Sequence, residues 1–281
     1  MGTIGLWLVP GLACTRAEPH AADASVPTRR PSAAASATPS AAASATPSAA
    51  MTHETAEHEP ASLGDDEADS RQARPCQLLA VGDSLTDTRS AGGGYLEAVR
   101  RHCDCRITNL GKGGAMVNQI RAQLLAHLAE GGAKYSDIVV FGGVNDLYSD
   151  LTAHRTVAKI ESDLSTMYDA AHHHGARVIA FTVTPWGGFK RYFTDARWQS
   201  TLTLNEWIRQ AKARATVDYL VDGERLLSCG TPTLLCPSAA SPHRDGLHFG
   251  PAGHRLLGAA LVKALGPKRC HDVPDAGSGV D

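Results

Sequence analysis

Five short apolar runs recur along the last two-thirds of the chain, and the stretches between them carry apolar residues at steps of three and four. That alternation restricts the possible folds more than any other feature. The runs are Gln77–Val81, Arg106–Leu110, Asp137–Phe141, Arg177–Val183 and Val217–Val221. Short continuous apolar runs of this kind read as strands buried on both faces. Val157, Ile160, Leu164, Met167, Tyr168 and Ala171 make one helical stripe, stopping near Gly175. Ile120, Leu124, Leu125 and Leu128 make a second, and Leu204, Trp207, Ile208 and Ala211 a third. Pro251 opens a last helix through Leu256, Leu257 and Leu261, since proline suits a first helical turn. Strand–helix alternation with apolar strands predicts an α/β fold. The expected architecture is a three-layer αβα sandwich around a central five-stranded parallel sheet, built from residues 75–270.

The rest of the chain has a different texture. Ser32-Ala-Ala-Ala-Ser-Ala-Thr-Pro39 is repeated as Ser40-Ala-Ala-Ala-Ser-Ala-Thr-Pro47, and an acidic stretch through Asp65, Asp66, Glu67 and Asp69 follows. Residues 15–74 hold too few large apolar groups to offset the entropy of ordering, and read as a linker. As a flexible coil, a linker of ~60 residues would reach roughly 40 Å. Residues 271–281 read as a flexible tail. Ile4 to Ala13 is apolar and about the length of a signal-peptide core, although no basic residues precede it. Leu12-Ala13-Cys14 resembles the end of a bacterial lipoprotein signal, with Gly11 where that motif usually carries Leu. The expectation is an extracytoplasmic protein, secreted or tethered to a membrane through Cys14.

Cysteine usage points the same way. Of seven cysteines, Cys14 stands alone, and six (Cys76, Cys103, Cys105, Cys229, Cys236, Cys270) lie in the globular part. An even set beside one odd tail cysteine fits disulfides formed outside the cytoplasm. Cys229 and Cys236 bracket a short loop and are the best candidates for one bridge. No paired Cys-x-x-Cys suggests zinc. With 27 Lys and Arg against 29 Asp and Glu, the chain has no basic footprint for nucleic acid.

In an open parallel sheet, functional residues collect beyond the C-terminal ends of strands. Gly82-Asp83-Ser84-Leu85-Thr86 follows the first run. A serine there can project its hydroxyl into the crevice, or simply cap the next helix. Asn109-Leu-Gly111-Lys-Gly113-Gly114 follows the second run; its glycines can present backbone N–H groups to a ligand or make a turn. Gly142-Gly143-Val144-Asn145-Asp146 follows the third, and the Asn145 amide could donate into the crevice or stabilise a turn. Asp245-Gly-Leu-His248 precedes the last helix. Its spacing lets the carboxylate reach one ring nitrogen and leaves the other for a hydroxyl.

These four blocks, in this order, resemble the SGNH or GDSL hydrolase family from about residue 76 to 266. The resemblance implies an SGNH, flavodoxin-like fold and a serine esterase that works without metal or cofactor. It implies Ser84 as nucleophile, His248 as base and Asp245 as its orienting partner. It also implies an oxyanion hole from the Ser84 and Gly114 backbone N–H groups and the Asn145 side chain. The substrate would be a small-molecule or polysaccharide ester, with short acyl or acetyl groups favoured and the enzyme acting as a monomer. Lysophospholipid or thioester hydrolysis, acyl transfer to a sugar hydroxyl and a silent surface-binding module are the alternatives.

No serine lies in Gly-x-Ser-x-Gly, which argues against an α/β-hydrolase elbow. Trp186 and Phe189, on the segment after the fourth run, are candidates to stack a sugar or line an acyl pocket, or else simply pack the loop. His172, His173 and His174 are consecutive on a helix, point about 100° apart, and read as structural. His243 is a rival base lacking an Asp three residues earlier, and His254 reads as packing. Asp83 and Asp146 read as loop-orienting groups.

Overall fold

The computed structural model describes residues 75–271. The apolar leader, Cys14, the repeat linker and residues 272–281 lie outside the described residues. Strand β1 (Cys76–Gly82) leads through a 3-10 turn at Thr88–Ser90 into helix α1 (Leu96–His102). Strand β2 (Cys105–Asn109) leads to α2 (Val117–Ala129). Strand β3 (Asp137–Phe141) leads to two short helices, α3 (Val144–Tyr148) and α4 (Asp150–Ala153), and then to α5 (Val157–His173). Strand β4 (Arg177–Phe181) precedes α6 (Asp195–Ala213). The short β5 (Tyr219–Val221) precedes α7 (Gly223–Leu227), α8 (Pro237–Ala240) and α9 (Pro251–Leu265).

The strands form one parallel sheet in the order β2-β1-β3-β4-β5. Alternate side chains on a strand point to opposite faces, so the central strands β1, β3 and β4 each feed two cores. Leu79, Val81, Ile138, Val140, Val178 and Ala180 face one way and pack with Ile120, Leu124, Ile160, Leu164, Leu204 and Ile208. Leu78, Ala80, Val139, Phe141, Ile179 and Phe181 face the other way and pack with Leu96, Val99, Leu257 and Leu261. The layers therefore put α2, α5 and α6 on one face and α1 and α9 on the other. This is the αβα sandwich expected from the alternation.

Two strands are shorter than their apolar runs, for identifiable reasons. β4 ends at Phe181 because the Asn205 side chain takes over the backbone of Val183. Its Oδ1 accepts from the Val183 N–H at 2.8 Å, and its Nδ2 donates to the Val183 carbonyl at 2.9 Å. β5 starts late because the Asp218 carboxylate accepts the Val178 N–H at 2.7 Å, where a ladder carbonyl would otherwise sit. Helix starts are locally encoded. The Thr156 hydroxyl accepts from the Lys159 N–H and the Thr194 hydroxyl from the Arg197 N–H, satisfying donors that the first turn leaves over.

Among the described residues there are three disulfides: Cys76–Cys105, Cys103–Cys270 and the expected Cys229–Cys236. Cys76 and Cys105 are register partners on β1 and β2. Cys103–Cys270 spans 167 residues of sequence. Closing a loop that long removes much unfolded-state entropy, on the order of 5 kcal/mol by the chain-entropy relation. A Cys103→Ala, Cys270→Ala double variant is therefore expected to lose about that much stability in a guanidinium titration with the other two bridges intact.

Candidate active site

Ser84 lies just past the end of β1 and is half-buried. The turn that carries it is held by Asp83. The Asp83 carbonyl accepts the Thr86 and Asp87 N–H groups, and its side-chain Oδ1 accepts the Leu85 N–H at 2.9 Å. At the far side of the crevice, Asp245 anchors the turn before α9. Its Oδ1 accepts the N–H groups of Leu247 and His248, each at 2.9 Å. Its Oδ2 sits 2.6 Å from His248 Nδ1. A carboxylate can only accept, so Nδ1 carries the proton and donates. That leaves the lone pair of His248 Nε2 facing Ser84 Oγ at 2.9 Å. Partial burial pushes the Asp245 pKa up, but the bonds from the His248 ring and the Leu247 and His248 amides outweigh it and hold the carboxyl below its usual range.

The other two blocks are bonded into the same crevice. The Lys112 N–H donates to the Gly82 carbonyl at 3.0 Å, and Asn145 Nδ2 donates to the Ala115 carbonyl at 2.9 Å. Gly114 lies between these ties, is exposed, and has open space where a Cβ would stand. Neither the Ser84 nor the Gly114 backbone N–H donates to any protein group among the described residues. Asn109 and Asp87, which sequence reasoning gave no role, clamp the glycine loop to the serine loop. Asn109 Nδ2 donates to the Thr86 carbonyl at 2.9 Å, and Asp87 Oδ2 accepts the Gly113 N–H at 2.9 Å. Asp146 Oδ2, on the short helix α3, accepts the Val117 N–H at 2.9 Å and so caps α2.

The segment after β4 departs from expectation. Trp186 is fully buried, and its Nε1 donates to Thr201 Oγ1 on α6 at 3.1 Å. It cannot offer a face to a ligand; the indole instead fills the core beneath the loop, with its one polar atom satisfied. Phe189 remains half-buried. Its ring lies 5.7 Å from Tyr148 in an edge-on contact and 4.9 Å from Tyr192. The same loop braces the Asp245 turn. Gly246 has φ +74°, and a Cβ on it would stand 2.0 Å from the Gly188 carbonyl carbon. On the other side, the Gly187 N–H donates to the Thr233 carbonyl at 2.7 Å, inside the Cys229–Cys236 loop.

The remaining histidines do not converge. His172 pairs with Asp218 at 2.9 Å, whereas His173 contacts the Asp169 carbonyl. The His243 ring lies 6.4 Å from that of His248. His254 packs on Phe249. Among the described residues, no group of three or more His, Cys, Asp or Glu side chains could hold a metal ion, and no helix is long and apolar enough to cross a membrane.

Asp83 is the electrostatic exception. It is fully buried, its Oδ2 has no hydrogen-bond partner among the described residues, and burial pushes its pKa up to about 7. The folded state thus holds the proton more tightly than the unfolded chain. Its contribution to stability is full below the unfolded pKa near 3.8 and is lost as pH rises through about 7. A shift of that size corresponds to about 4 kcal/mol. Relative to the parent, an Asp83→Asn variant should therefore gain stability between pH 5 and pH 8. Denaturant midpoints at both pH values check this; a constant difference would contradict it.

Solved structures share this architecture. The lipase/acylhydrolase of Enterococcus faecalis is 23% identical, covering 67% of this chain and 94% of its own, with a TM-score of 0.53. A catalytic mutant of an acetylxylan esterase from Geobacillus stearothermophilus is 19% identical, covering 68% and 94%, with a TM-score of 0.53. A GDSL-like lipase from Bacteroides thetaiotaomicron is 16% identical, covering 71% and 95%, with a TM-score of 0.56. At these identities the likeness concerns the fold. No curated protein sequence matches the chain significantly. The family description "GDSL-like Lipase/Acylhydrolase family" matches residues 80–256, from within β1 into α9. That match takes in all four loops of the crevice and more than half of the chain, so the protein is a hydrolase belonging to the GDSL-like lipase/acylhydrolase family.

Proposed function

We propose that the protein is a serine esterase that cleaves carboxylic esters of short acyl groups through an acyl-Ser84 intermediate. One observation carries the reading: the unbroken chain from Ser84 Oγ through the His248 ring to Asp245, at 2.9 and 2.6 Å. Ser84 Oγ attacks the ester carbonyl while His248 Nε2 takes its proton. His248 then returns the proton to the departing alcohol, and a water repeats the sequence to free the acid. Asp245 keeps the ring in the tautomer whose lone pair faces the serine and stabilises the imidazolium. The tetrahedral oxyanion is met by the N–H groups of Ser84 and Gly114, which have no other protein acceptor among the described residues, and by the Asn145 amide.

The substrate reading rests on exposure. Ser84 and His248 are half-buried and Asp245 is exposed, so a bulky or polymeric alcohol can approach them. Phe189 and Tyr192 lie half-exposed on the loop that braces the Asp245 turn and offer ring faces for a sugar. Acetyl esters of carbohydrates fit this arrangement. The same proposal places the enzyme outside the cytoplasm, in keeping with its three disulfides. Cys14 would carry the anchor and residues 15–74 would be the spacer. Mass spectrometry of the mature N-terminus tests the anchor.

The activity test combines p-nitrophenyl esters of rising chain length, acetylated xylo-oligosaccharides and a fluorophosphonate probe. The expected result is hydrolysis fastest for acetate or butyrate and labelling that disappears in Ser84→Ala. Unchanged hydrolysis in Ser84→Ala would overturn the mechanism. A preference for long acyl chains would overturn the substrate class alone.

A further inference from the structure

The Asn145 amide is held at both ends. Ala115 offers a carbonyl, which can only accept, so the NH2 end of the amide must face it; the distance is 2.9 Å. The oxygen end, Oδ1, then accepts from the Tyr148 hydroxyl at 2.6 Å. Asn145 and Tyr148 stand three residues apart on α3, which puts them on one side of that short helix. With Oδ1 and one N–H committed, the second N–H of Asn145 is the group left to donate into the crevice.

Tyr148 is itself fixed. Its ring packs edge-on against Phe189 at 5.7 Å and in a tilted contact against Tyr192 at 5.2 Å. We propose that Tyr148 is a positioning residue for ester hydrolysis: its hydroxyl locks the Asn145 amide with an N–H toward the oxyanion and, by drawing on Oδ1, makes that N–H a stronger donor. This inference rests on the serine-esterase reading. The loop that meets the alcohol part of the substrate, through Phe189 and Tyr192, thereby also holds a group that stabilises the oxyanion. Chained hydrogen bonds polarise one another, and an amide whose oxygen accepts a strong bond donates more strongly from its nitrogen. Burial, aided by the nearby charge of Asp83, raises the Tyr148 pKa and keeps the phenol protonated as a donor.

Tyr148→Phe keeps the ring and its packing and removes only the hydroxyl. A single buried hydrogen bond of this kind corresponds to about ten-fold in rate. The expected result on p-nitrophenyl acetate is a kcat lower by about ten-fold, KM within two-fold and a thermal midpoint lower by only a few degrees, since the buried Asn145 Oδ1 loses its donor. The same substitution in an Asn145→Ala background should cost less than two-fold, because the group it positions is gone. Affinity for methylboronic acid, which forms a tetrahedral adduct with an active serine, should fall about ten-fold in Tyr148→Phe. An equal loss in both backgrounds, or a loss confined to KM, would overturn the role.

Phe189→Leu offers a second route should Tyr148→Phe fail to fold. It retains the hydroxyl but loosens the ring, and should lower kcat in the parent, whereas beside Asn145→Ala kcat should change less than two-fold and any further loss should fall on KM, through the contact with the alcohol part of the substrate. Ser84→Ala serves as the control. Full activity there would overturn the esterase reading together with this one, whereas normal dependence on Ser84 with an additive Tyr148→Phe would overturn this one alone.

Discussion

Ser84→Ala is expected to lower kcat/KM toward p-nitrophenyl acetate by about 10⁴- to 10⁶-fold, and His248→Ala by a similar factor. The two losses should not multiply. In the proposed mechanism the hydroxyl is a weak nucleophile until His248 Nε2, 2.9 Å away, removes its proton. The base in turn has no task once the hydroxyl is gone. The Ser84→Ala, His248→Ala double variant should therefore sit within about ten-fold of either single variant, on a residual rate supplied by binding and the oxyanion donors. Initial rates over a substrate range, with all variants checked for folding, measure this. Two fully multiplicative losses would mean that the residues act separately and that the hydrogen bond between them is not the working contact.

The second large effect is expected at a residue that touches no substrate. Gly246→Ala should reduce kcat by about 100-fold while leaving a folded protein. Two costs coincide there. The backbone at φ +74° disfavours any side chain by about 1–2 kcal/mol. The new methyl would also stand 2.0 Å from the Gly188 carbonyl carbon, so one loop must move. Gly188 is held through its neighbour Gly187, whose N–H is bonded to Thr233. Asp245 is exposed, so its turn has room to move outward, and the displacement is expected to fall there. A shift of about 1 Å in a reacting group costs on the order of 100-fold. Gly230→Ala is the control: its φ is +73°, but nothing lies within 4 Å of the added carbon. It should lose some stability and little rate. Equal rates for the two variants would refute the bracing role of the Gly188–Gly246 contact.

The apolar runs and helical stripes predict the layers well because the central strands β1, β3 and β4 are buried on both faces and the long helices on one, whereas the edge strands β2 and β5 are only partly covered. Strand ends were harder to read. Val183 looks like strand and Val217 like the start of one, yet Asn205 and the Asp218 carboxylate take the backbone bonds there. Such replacements come from residues distant in sequence. The catalytic candidates were legible as loop positions, since parallel sheets expose the ends of their strands at one edge. For Trp186 the sequence leaves both readings open, because an indole on a rim loop has the same signature whether it faces solvent or the core. Its packing in the core, against Phe193, and the Nε1 bond to Thr201 on α6 decide it. The clamps at Asp87 and Asn109 bond across separate loops and carry no local pattern. Tyr148 could have been found, because its three-residue spacing from Asn145 on a helix already puts the two side chains within reach.

The two bridges beside β2 have a mechanical consequence. Cys76 opens β1, Cys105 opens β2, and Cys103 lies two residues before Cys105. A covalent path therefore runs from Cys76 to Cys105, back through Asp104 to Cys103, and across to Cys270. Tension applied between residues 75 and 271 follows that short path. It bypasses the inter-strand hydrogen bonds of β1 and β3, and with them the turn that carries Ser84. Pulled from its two ends, the domain transmits force along its base while the reactive edge of the sheet stays slack.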